Sequence, residues 1–344
     1  MRHLHAVLTV VMLAAVSLMV GPLTAQSGSA SSSATPADWK VPRTPDGHPD
    51  LQGVWGNNSV TPMTRPRQWK DKTTLTEAEV AELKQMAARF VDQGGDAIFG
   101  NFVQQMLDAK DKGTFAQVSY DPTTGNYNQF WMADREWDNR TSLIIDPPDG
   151  QFPPLTPEAE SRREAARTRV RERGPADGPE DRPLSERCIS YGAPRTGANY
   201  NSYVQIIQSP ETVVLFQEMI HDARVVPMTQ RPHLPSHIRQ LHGDPRGRWE
   251  GDSLVVETTN YINGFQGSTS NVKLTERYTR VSPDLINWEI KVEDPATWTK
   301  PYTFMIRLKK TDGLIYEYAC HEGNYAMEGI LGGARREEAK GTKR

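Results

Sequence analysis

The sequence is poor in cysteine and lacks the short motifs that mark the best-known cofactor sites. Only two of its 344 residues are cysteines, and they do not form a C-x-x-C motif, which argues against thiol–disulfide catalysis. No G-x-G-x-x-G and no P-loop sequence is present, so a nucleotide cofactor is not expected. A G-x-S-x-G elbow and an H-E-x-x-H motif are missing as well. We therefore predict no organic cofactor and no metal site.

Neither sign of charge dominates the sequence. The 40 Lys and Arg against 43 Asp and Glu give a formal net charge of −3. A weakly acidic chain has no broad basic surface, so we expect neither nucleic acid nor an anionic membrane surface as a partner. Beyond residue 25 no apolar run reaches the ~20 residues of a membrane-spanning helix, so no integral span is expected in the mature protein.

The N-terminus has the pattern of an export signal. One early Arg precedes an apolar stretch of about fifteen residues, and Ala25 supplies a small-residue exit. An uncleaved N-terminal anchor is the alternative. We predict a signal peptide at 1–25, a flexible Ser- and Ala-rich tether at 26–40, a segment with helices and additional strands at 41–187, and a β meander at 188–335. The mature protein is then expected to be periplasmic or secreted.

The two cysteines are expected to pair. Export would place Cys188 and Cys320 in an oxidising compartment, where two cysteines usually form a disulfide bond. Cys188 precedes the β-rich half of the sequence and Cys320 ends it. We predict that they are bonded, with two isolated thiols as the alternative.

Two helices are predicted in the N-terminal half. Thr76 and Glu79 form a capping box at the start of the first helix, and a glycine pair follows its end. The second helix has Pro157 at its first position and ends at Gly174. Its apolar face is thin, so we expect it on the surface.

From Tyr200 onward, apolar and polar residues alternate between short turns. Every second residue is apolar over 286–292, and the stretches 302–308 and 314–320 repeat this alternation. A period of two across short turns predicts an antiparallel meander with one buried face. We expect a mainly β protein, in which the meander closes into a barrel or a strongly curved sheet beside the two peripheral helices.

Several longer strings carry a resemblance. They are RTPDGHPDLQGVWGN, RTSLIIDPPDGQFPPLTPEA, EMIHDARVVPM, GRWEGDSLVVETTNY and YACHEGNY. Together they resemble a family of exported bacterial proteins to which no reaction is assigned, so the resemblance implies export but no activity. The tripeptide at 53–55 is similar to the G-x-W start of lipocalin-like (calycin) barrels. The long insertion before Tyr200 departs from a simple lipocalin.

Four residues that suit chemistry fall within EMIHDAR, namely Glu218, His221, Asp222 and Arg224. In a straight strand, Glu218, Asp222 and Arg224 would share a face with apolar residues. Charges on such a face are costly unless they are paired. We predict that Arg224 holds both carboxylates. The pair is either a structural ion pair at a barrel rim or a ligand-facing acid–base group.

Two further stretches carry histidine. His242 lies in a loop between predicted strands, and His233 and His237 precede it. His321 and Glu322 directly follow the second cysteine, where a disulfide would hold them at the rim. Because closing a meander brings its ends together, we expect one site built from EMIHDAR, the His242 loop and CHEGNY.

Three classes of function stay open. In the first, the exported protein binds a small, largely apolar ligand in a barrel-type cavity, with Glu218, Arg224 and His242 at its polar end. In the second, the protein is a lyase, isomerase or hydrolase that needs no organic cofactor. In the third, it is a structural envelope protein without a pocket.

The enzyme hypothesis assigns roles to four residues. His221 or His321 would act as the general base, because an ordinary histidine titrates near neutral pH. Asp222 or Glu322 would orient that imidazole. Scattered ligands of this kind also suit a zinc ion, but without a spaced motif they do not predict one.

Overall fold

The computed structural model describes residues 38–92, 101–113, 135–173 and 176–341. The predicted signal peptide and most of the predicted tether lie outside these residues. Within the described ranges, no helix has both the length and the apolar character needed to cross a bilayer.

Antiparallel strands dominate the described part of the chain. In chain order they are β1 (Gly53–Gly56), β2 (Ile144–Asp146), β3 (Tyr203–Gln208), β4 (Thr212–Gln217), β5 (Ala223–Pro227), β6 (Asp244–Glu250), β7 (Ser253–Thr259), β8 (Lys273–Ser282), β9 (Leu285–Glu293) and β10 (Tyr302–Thr311). They form one 10-stranded sheet in the order β5-β4-β3-β1-β10-β9-β8-β7-β6, and β2 also pairs with β10. The predicted mainly β, antiparallel class is confirmed.

Short turns connect the neighbouring strands of the meander. Glu250 pairs with Ser253 across the β6–β7 turn, and Ser282 pairs with Leu285 across the β8–β9 turn. Gly251 occupies the first of these turns with a φ of 59°, a left-handed conformation that glycine adopts without strain. Short turns between alternating stretches are what the sequence predicts for this half of the chain.

Strand β1 comes from the N-terminal segment but lies in the middle of the sheet. It pairs with β3 on one side and with β10 on the other. Trp55 at its centre is fully buried, and its indole N–H donates to the Leu51 carbonyl at 2.8 Å. The N-terminal segment therefore completes the sheet rather than only covering it.

The core follows the predicted alternation. The apolar residues of β9 and β10 that share the inner face are all buried, and they are Ile286, Trp288, Ile290, Val292, Tyr302, Phe304, Ile306 and Leu308. Burying one large apolar side chain contributes about 1.5–3 kcal/mol. The inner faces of two adjacent strands thus supply a large share of the hydrophobic stabilisation.

The predicted last strand, residues 314–320, is wrong. The chain leaves β10 at Thr311 and continues without strand structure, and Leu314 and Tyr316 are 77% and 73% exposed. The reason is that β10 already pairs with β9 along one edge and with β1 and β2 along the other. No edge of β10 is left for a following strand, whatever its local alternation.

The two ends of the sheet approach each other without pairing. A Cβ built on Gly247 of β6 would lie 2.9 Å from Val226 Cγ1 of β5, so these strands are in close contact. No ladder of hydrogen bonds joins β5 to β6 among the described residues. The predicted closed barrel is therefore not confirmed.

Four helices flank the sheet in the described ranges. They are α1 (Glu77–Asp92), α2 (Phe102–Lys112), α3 (Pro157–Arg173) and α4 (Tyr325–Ala339). Helices α1 and α3 are the two that the sequence predicts. The capping box is present, because the Glu79 carboxylate accepts from the Thr76 N–H at 2.8 Å and the Thr76 hydroxyl accepts from the Glu79 N–H.

Helices α2 and α4 were not predicted. Helix α2 packs on α1 in a second, smaller core that includes Leu83, Met86 and Met106. Helix α4 has a single buried residue, Ala334, and contains three glycines, which weaken the helical signal of its sequence.

The predicted disulfide bond is present and fastens the C-terminal arm, residues 312–341. Cys188 and Cys320 are bonded with their Cα atoms 5.6 Å apart. Asn324 donates to the Glu186 carbonyl at 2.9 Å, and Arg335 donates to the Ala176 carbonyl at 2.9 Å. The arm therefore returns to the segment that precedes β3.

Candidate functional site

The EMIHDAR string is a turn and not a straight strand. Strand β4 ends at Gln217, a 3₁₀ turn covers Met219–His221, and β5 begins at Ala223. Ile220 and His221 have φ angles of 56° and 42°. A β-branched residue at positive φ is uncommon and strained, and such residues cluster at functional sites.

Arg224 forms a buried ion pair inside the sheet. Its Nη1 and Nη2 donate to Glu276 Oε2 and Oε1 at 3.1 and 2.5 Å, and Nη2 also donates to the Thr258 hydroxyl. The Tyr278 hydroxyl and the Trp288 indole N–H donate to the same carboxylate. Burial opposes the guanidinium charge, yet Glu276 outweighs it and holds the pKa of Arg224 above its usual range. Burial, reinforced by Glu276, raises the pKa of Tyr278.

The prediction that Arg224 holds Glu218 and Asp222 is therefore wrong. The turn at 219–221 breaks the strand, so these three residues do not share one straight face. The partner of Arg224 is Glu276, which lies 52 residues further along the chain, and no local sequence pattern predicts this pairing.

Asp222 instead joins a cluster with Ser190 and His242. The Ser190 hydroxyl lies 2.8 Å from Asp222 Oδ2 and 3.0 Å from His242 Nε2, and that same nitrogen lies 3.4 Å from Asp222 Oδ1. One imidazole nitrogen thus faces both partners, whereas a catalytic triad uses the two nitrogens separately. Ser190 is 2% exposed. The sequence offered no signal for Ser190, which lies in no nucleophile motif.

His221, His321 and Glu322 are all exposed. His321 and Glu322 belong to the arm just after the disulfide, where the His321 carbonyl accepts from the Asn324 N–H. Among the described residues, no hydrogen bond or ion pair joins either of these side chains to His221. The roles predicted for them in catalysis remain predictions.

The loop between β5 and β6 is fastened by its histidines. His233 Nδ1 lies 3.1 Å from Asp244 Oδ2, and its Nε2 lies 3.3 Å from Glu257 Oε1. Lys273 also contacts Glu257. Burial alone would raise the pKa of Glu257, but Lys273 and His233 outweigh it and lower that pKa. No group of three or more potential metal ligands occurs in the ranges that the structure describes.

A small cavity lies where strands β1 and β4 end and β3 begins. We call it the mouth cavity. Its volume is about 10 Å³, and its lining includes Asn57, Arg195, Ser202, Tyr203, Gln217 and Trp288. A cavity of this size holds about one water molecule or one polar group of a larger molecule. Arg195 and Tyr203 are partly exposed, so the cavity lies close to the surface.

Three polar atoms of this lining have no hydrogen-bond partner among the described residues. They are Asn57 Oδ1, Gln217 Oε1 and Arg195 Nε. Asn57 and Gln217 are 3% and 6% exposed, and buried polar atoms are normally paired. The mouth cavity thus offers two acceptors and one donor.

Charge at the mouth cavity comes from Arg195 and the neighbouring Glu218. Burial lowers the pKa of Arg195, and the nearby Tyr191 and Glu218 oppose that shift. Burial raises the pKa of Glu218, although the Tyr316 backbone N–H donates to its carboxylate. Glu218 Oε2 is buried and has no hydrogen-bond partner in the part of the chain that the structure describes. Several polar groups beside the mouth cavity are therefore buried and shielded from water.

The segment before β3 lines part of the mouth cavity, and the arm contacts Glu218 beside it. The Tyr316 N–H reaches Glu218, the residue after Gln217, and the Arg195 guanidinium lies 5.2 Å from the Tyr191 ring centroid. The segment before β3 also contains three residues with positive φ, Cys188, Asn199 and Asn201. Sequence reasoning found Glu218 but missed Asn57, Arg195 and Gln217, which come from three separate stretches.

The fold and its mouth cavity define an antiparallel β-sheet protein with a small polar recess where β1 and β4 end. No protein-family model matches this chain, and no curated protein matches it either.

Proposed function

We propose that the protein binds a small, largely apolar ligand by one polar end, which enters the mouth cavity. This proposal is carried by Asn57 Oδ1, Gln217 Oε1 and Arg195 Nε, which belong to one recess and find no partner within the described ranges. The recess has room for a single polar group, so the apolar remainder of the ligand lies outside it. This differs from a ligand enclosed in a barrel, because the core residues fill the inner face of the sheet.

An apolar rim beside the mouth cavity suits that remainder. The rim comprises Tyr191 and Tyr316, which are 51% and 73% exposed. Tyr191 stacks on Arg195, and the Tyr316 backbone contacts Glu218. Exposed aromatic side chains around a polar recess are a common design for a small-molecule site.

Two finer features belong to the same proposal. We take the contact between Gly247 and Val226 as the seam of a lipocalin-like barrel, whose mouth holds the site. The disulfide suits an oxidising compartment, which supports a periplasmic or secreted protein.

Hydrolysis with Ser190 as the nucleophile and His242 as its general base is a second candidate function. The contacts among Ser190, Asp222 and His242 favour it. It requires the arm or the β5–β6 loop to move, because Ser190 is buried. Labelling with a fluorophosphonate probe tests it, and the proposal fails if the wild-type protein and Ser190→Ala are labelled equally.

A fluorescent ligand tests the binding function. N-Phenyl-1-naphthylamine is apolar, carries one N–H donor and brightens when it leaves water. We expect saturable binding to the wild-type protein and at least tenfold weaker binding to Tyr316→Ala. Tyr316 is exposed, so this change leaves the folded state intact.

Val170→Ala is the matched control. Val170 is 62% exposed on α3, and we expect its truncation to leave the dye affinity unchanged. Absence of saturable binding, or an equal loss in both variants, would overturn the proposed function.

A further inference from the structure

We infer that the polar end taken by the mouth cavity is a neutral primary carboxamide and not a carboxylate. This inference rests on the proposed function, since it names the chemical class that the same recess recognises. The donors and acceptors of three side chains, Asn57, Arg195 and Gln217, support it.

The orientation of the Asn57 amide is fixed by its neighbours. Its Nδ2 donates to the Thr196 carbonyl at 3.0 Å and to the Gly197 carbonyl at 3.2 Å. Carbonyl oxygens only accept, so the amide cannot be turned around. Asn57 Oδ1 therefore stays an acceptor for whatever enters the cavity.

Arg195 offers a buried donor at Nε. Its Nη1 donates to the Gly197 carbonyl at 3.1 Å, and its Nη2 donates to the Tyr200 carbonyl at 2.8 Å. Nε is buried without a partner among the described residues. The guanidinium is thus held by backbone carbonyls through both Nη atoms, and its buried Nε–H is left for a ligand.

A carboxylate does not match this set. A carboxylate supplies only acceptors. No hydrogen atom would then lie between its oxygens and either Asn57 Oδ1 or the Glu218 carboxyl beside the cavity. A primary carboxamide supplies an oxygen for Arg195 Nε and two N–H donors. One of these donors meets Asn57 Oδ1, and the other meets Gln217 Oε1. Leaving a buried acceptor unpaired is what discriminates between the two ligands.

Three small probes of one shape test this class. Benzamide carries the full donor and acceptor set, benzoate lacks the donors and adds a charge, and N,N-dimethylbenzamide keeps only the carbonyl acceptor. Ligand-observed NMR titration of the full mature protein measures each affinity. We expect benzamide to bind at least tenfold more tightly than either of the other two.

A substitution adds an independent check. Gln217→Met removes one acceptor at nearly constant volume and should weaken benzamide binding about tenfold, without affecting benzoate. Gln205→Met is the matched control, because Gln205 lies on the opposite, partly exposed face of β3 and outside the mouth cavity. It should leave both affinities unchanged.

The outcomes separate this inference from the function on which it rests. Benzoate or dimethylbenzamide binding as tightly as benzamide would overturn the carboxamide assignment, as would dye binding without any benzamide binding. In both cases the binding of N-phenyl-1-naphthylamine would leave the proposed function standing. Absence of dye binding would remove the function itself.

Discussion

Arg224 and Glu276 bind each other with side chains that are 1% and 0% exposed. Arg224 lies on β5 and Glu276 on β8, and these strands are not neighbours in the sheet. The ion pair therefore links two distant parts of the sheet through its interior. Thr258, Tyr278 and Trp288 add three further hydrogen bonds to the pair, which offset part of the cost of burying two charges.

Breaking this pair should cost much of the protein's stability. Glu276→Gln leaves the Arg224 guanidinium buried without a counter-charge, so we expect the free energy of unfolding to fall by about 3–5 kcal/mol. Urea denaturation followed by circular dichroism measures the change. The control is Glu293→Gln, which removes a partly exposed partner of Lys291 and should cost less than about 1 kcal/mol. Equal losses in the two variants would contradict the buried geometry.

The disulfide should stabilise the fold and hold the arm. Cys188 and Cys320 are 132 residues apart, and closing so long a loop contributes about 4–5 kcal/mol in the chain-entropy model. We expect the Cys188→Ser/Cys320→Ser variant to unfold at lower urea and to be cleaved by trypsin within the arm. An uncleaved arm in the folded double variant would show that α4 and its hydrogen bonds hold the arm without the bond.

Glu218 should make stability depend on pH. Burial raises its pKa in the folded state from the ordinary value of 4.5, so the folded protein disfavours the ionised carboxylate. This cost is absent below pH 4.5, grows as the pH rises through the folded-state pKa, and is complete above it. Glu218→Gln should therefore raise the melting temperature at about pH 7 and leave it nearly unchanged at about pH 4. A gain that is the same at both values would mean that charge at Glu218 is not the cause.

The capping box of α1 should have a measurable effect on stability. Thr76→Ala removes the hydroxyl that accepts from the Glu79 N–H, and losing such a cap costs about 1 kcal/mol. Thermal denaturation checks this value. Thr76→Ser keeps the hydroxyl and should restore most of the stability, so a loss of the same size in both variants would argue against capping.

Local patterns were sufficient to predict the class of fold and many of its elements. The alternation in β9 and β10 selects one buried face, because successive side chains of a strand point to opposite sides. The capping box of α1 and the turn at Gly251 are equally local. The disulfide followed from the number of cysteines and the predicted export.

The same local signals gave wrong predictions where the structure depends on strand pairing or on contacts between residues that are distant along the chain. Residues 314–320 alternate like a strand, but β10 has no free edge to receive them. Arg224 pairs with Glu276 across the sheet and not with the carboxylates of its own turn. The reason is the turn at Ile220, which interrupts the strand. Helix α4, which was not predicted, belongs to the C-terminal arm that also contains residues 314–320.

The sequence by itself determined which residues are buried along β9 and β10, since that depends on a repeat of two residues. Only the tertiary structure decided the mouth cavity. Asn57 follows β1, Arg195 precedes β3 and Gln217 ends β4, and the three meet because β1 is inserted beside β3. Strand order is set by hydrogen bonding between segments that are distant along the chain, and no local pattern of residues records it.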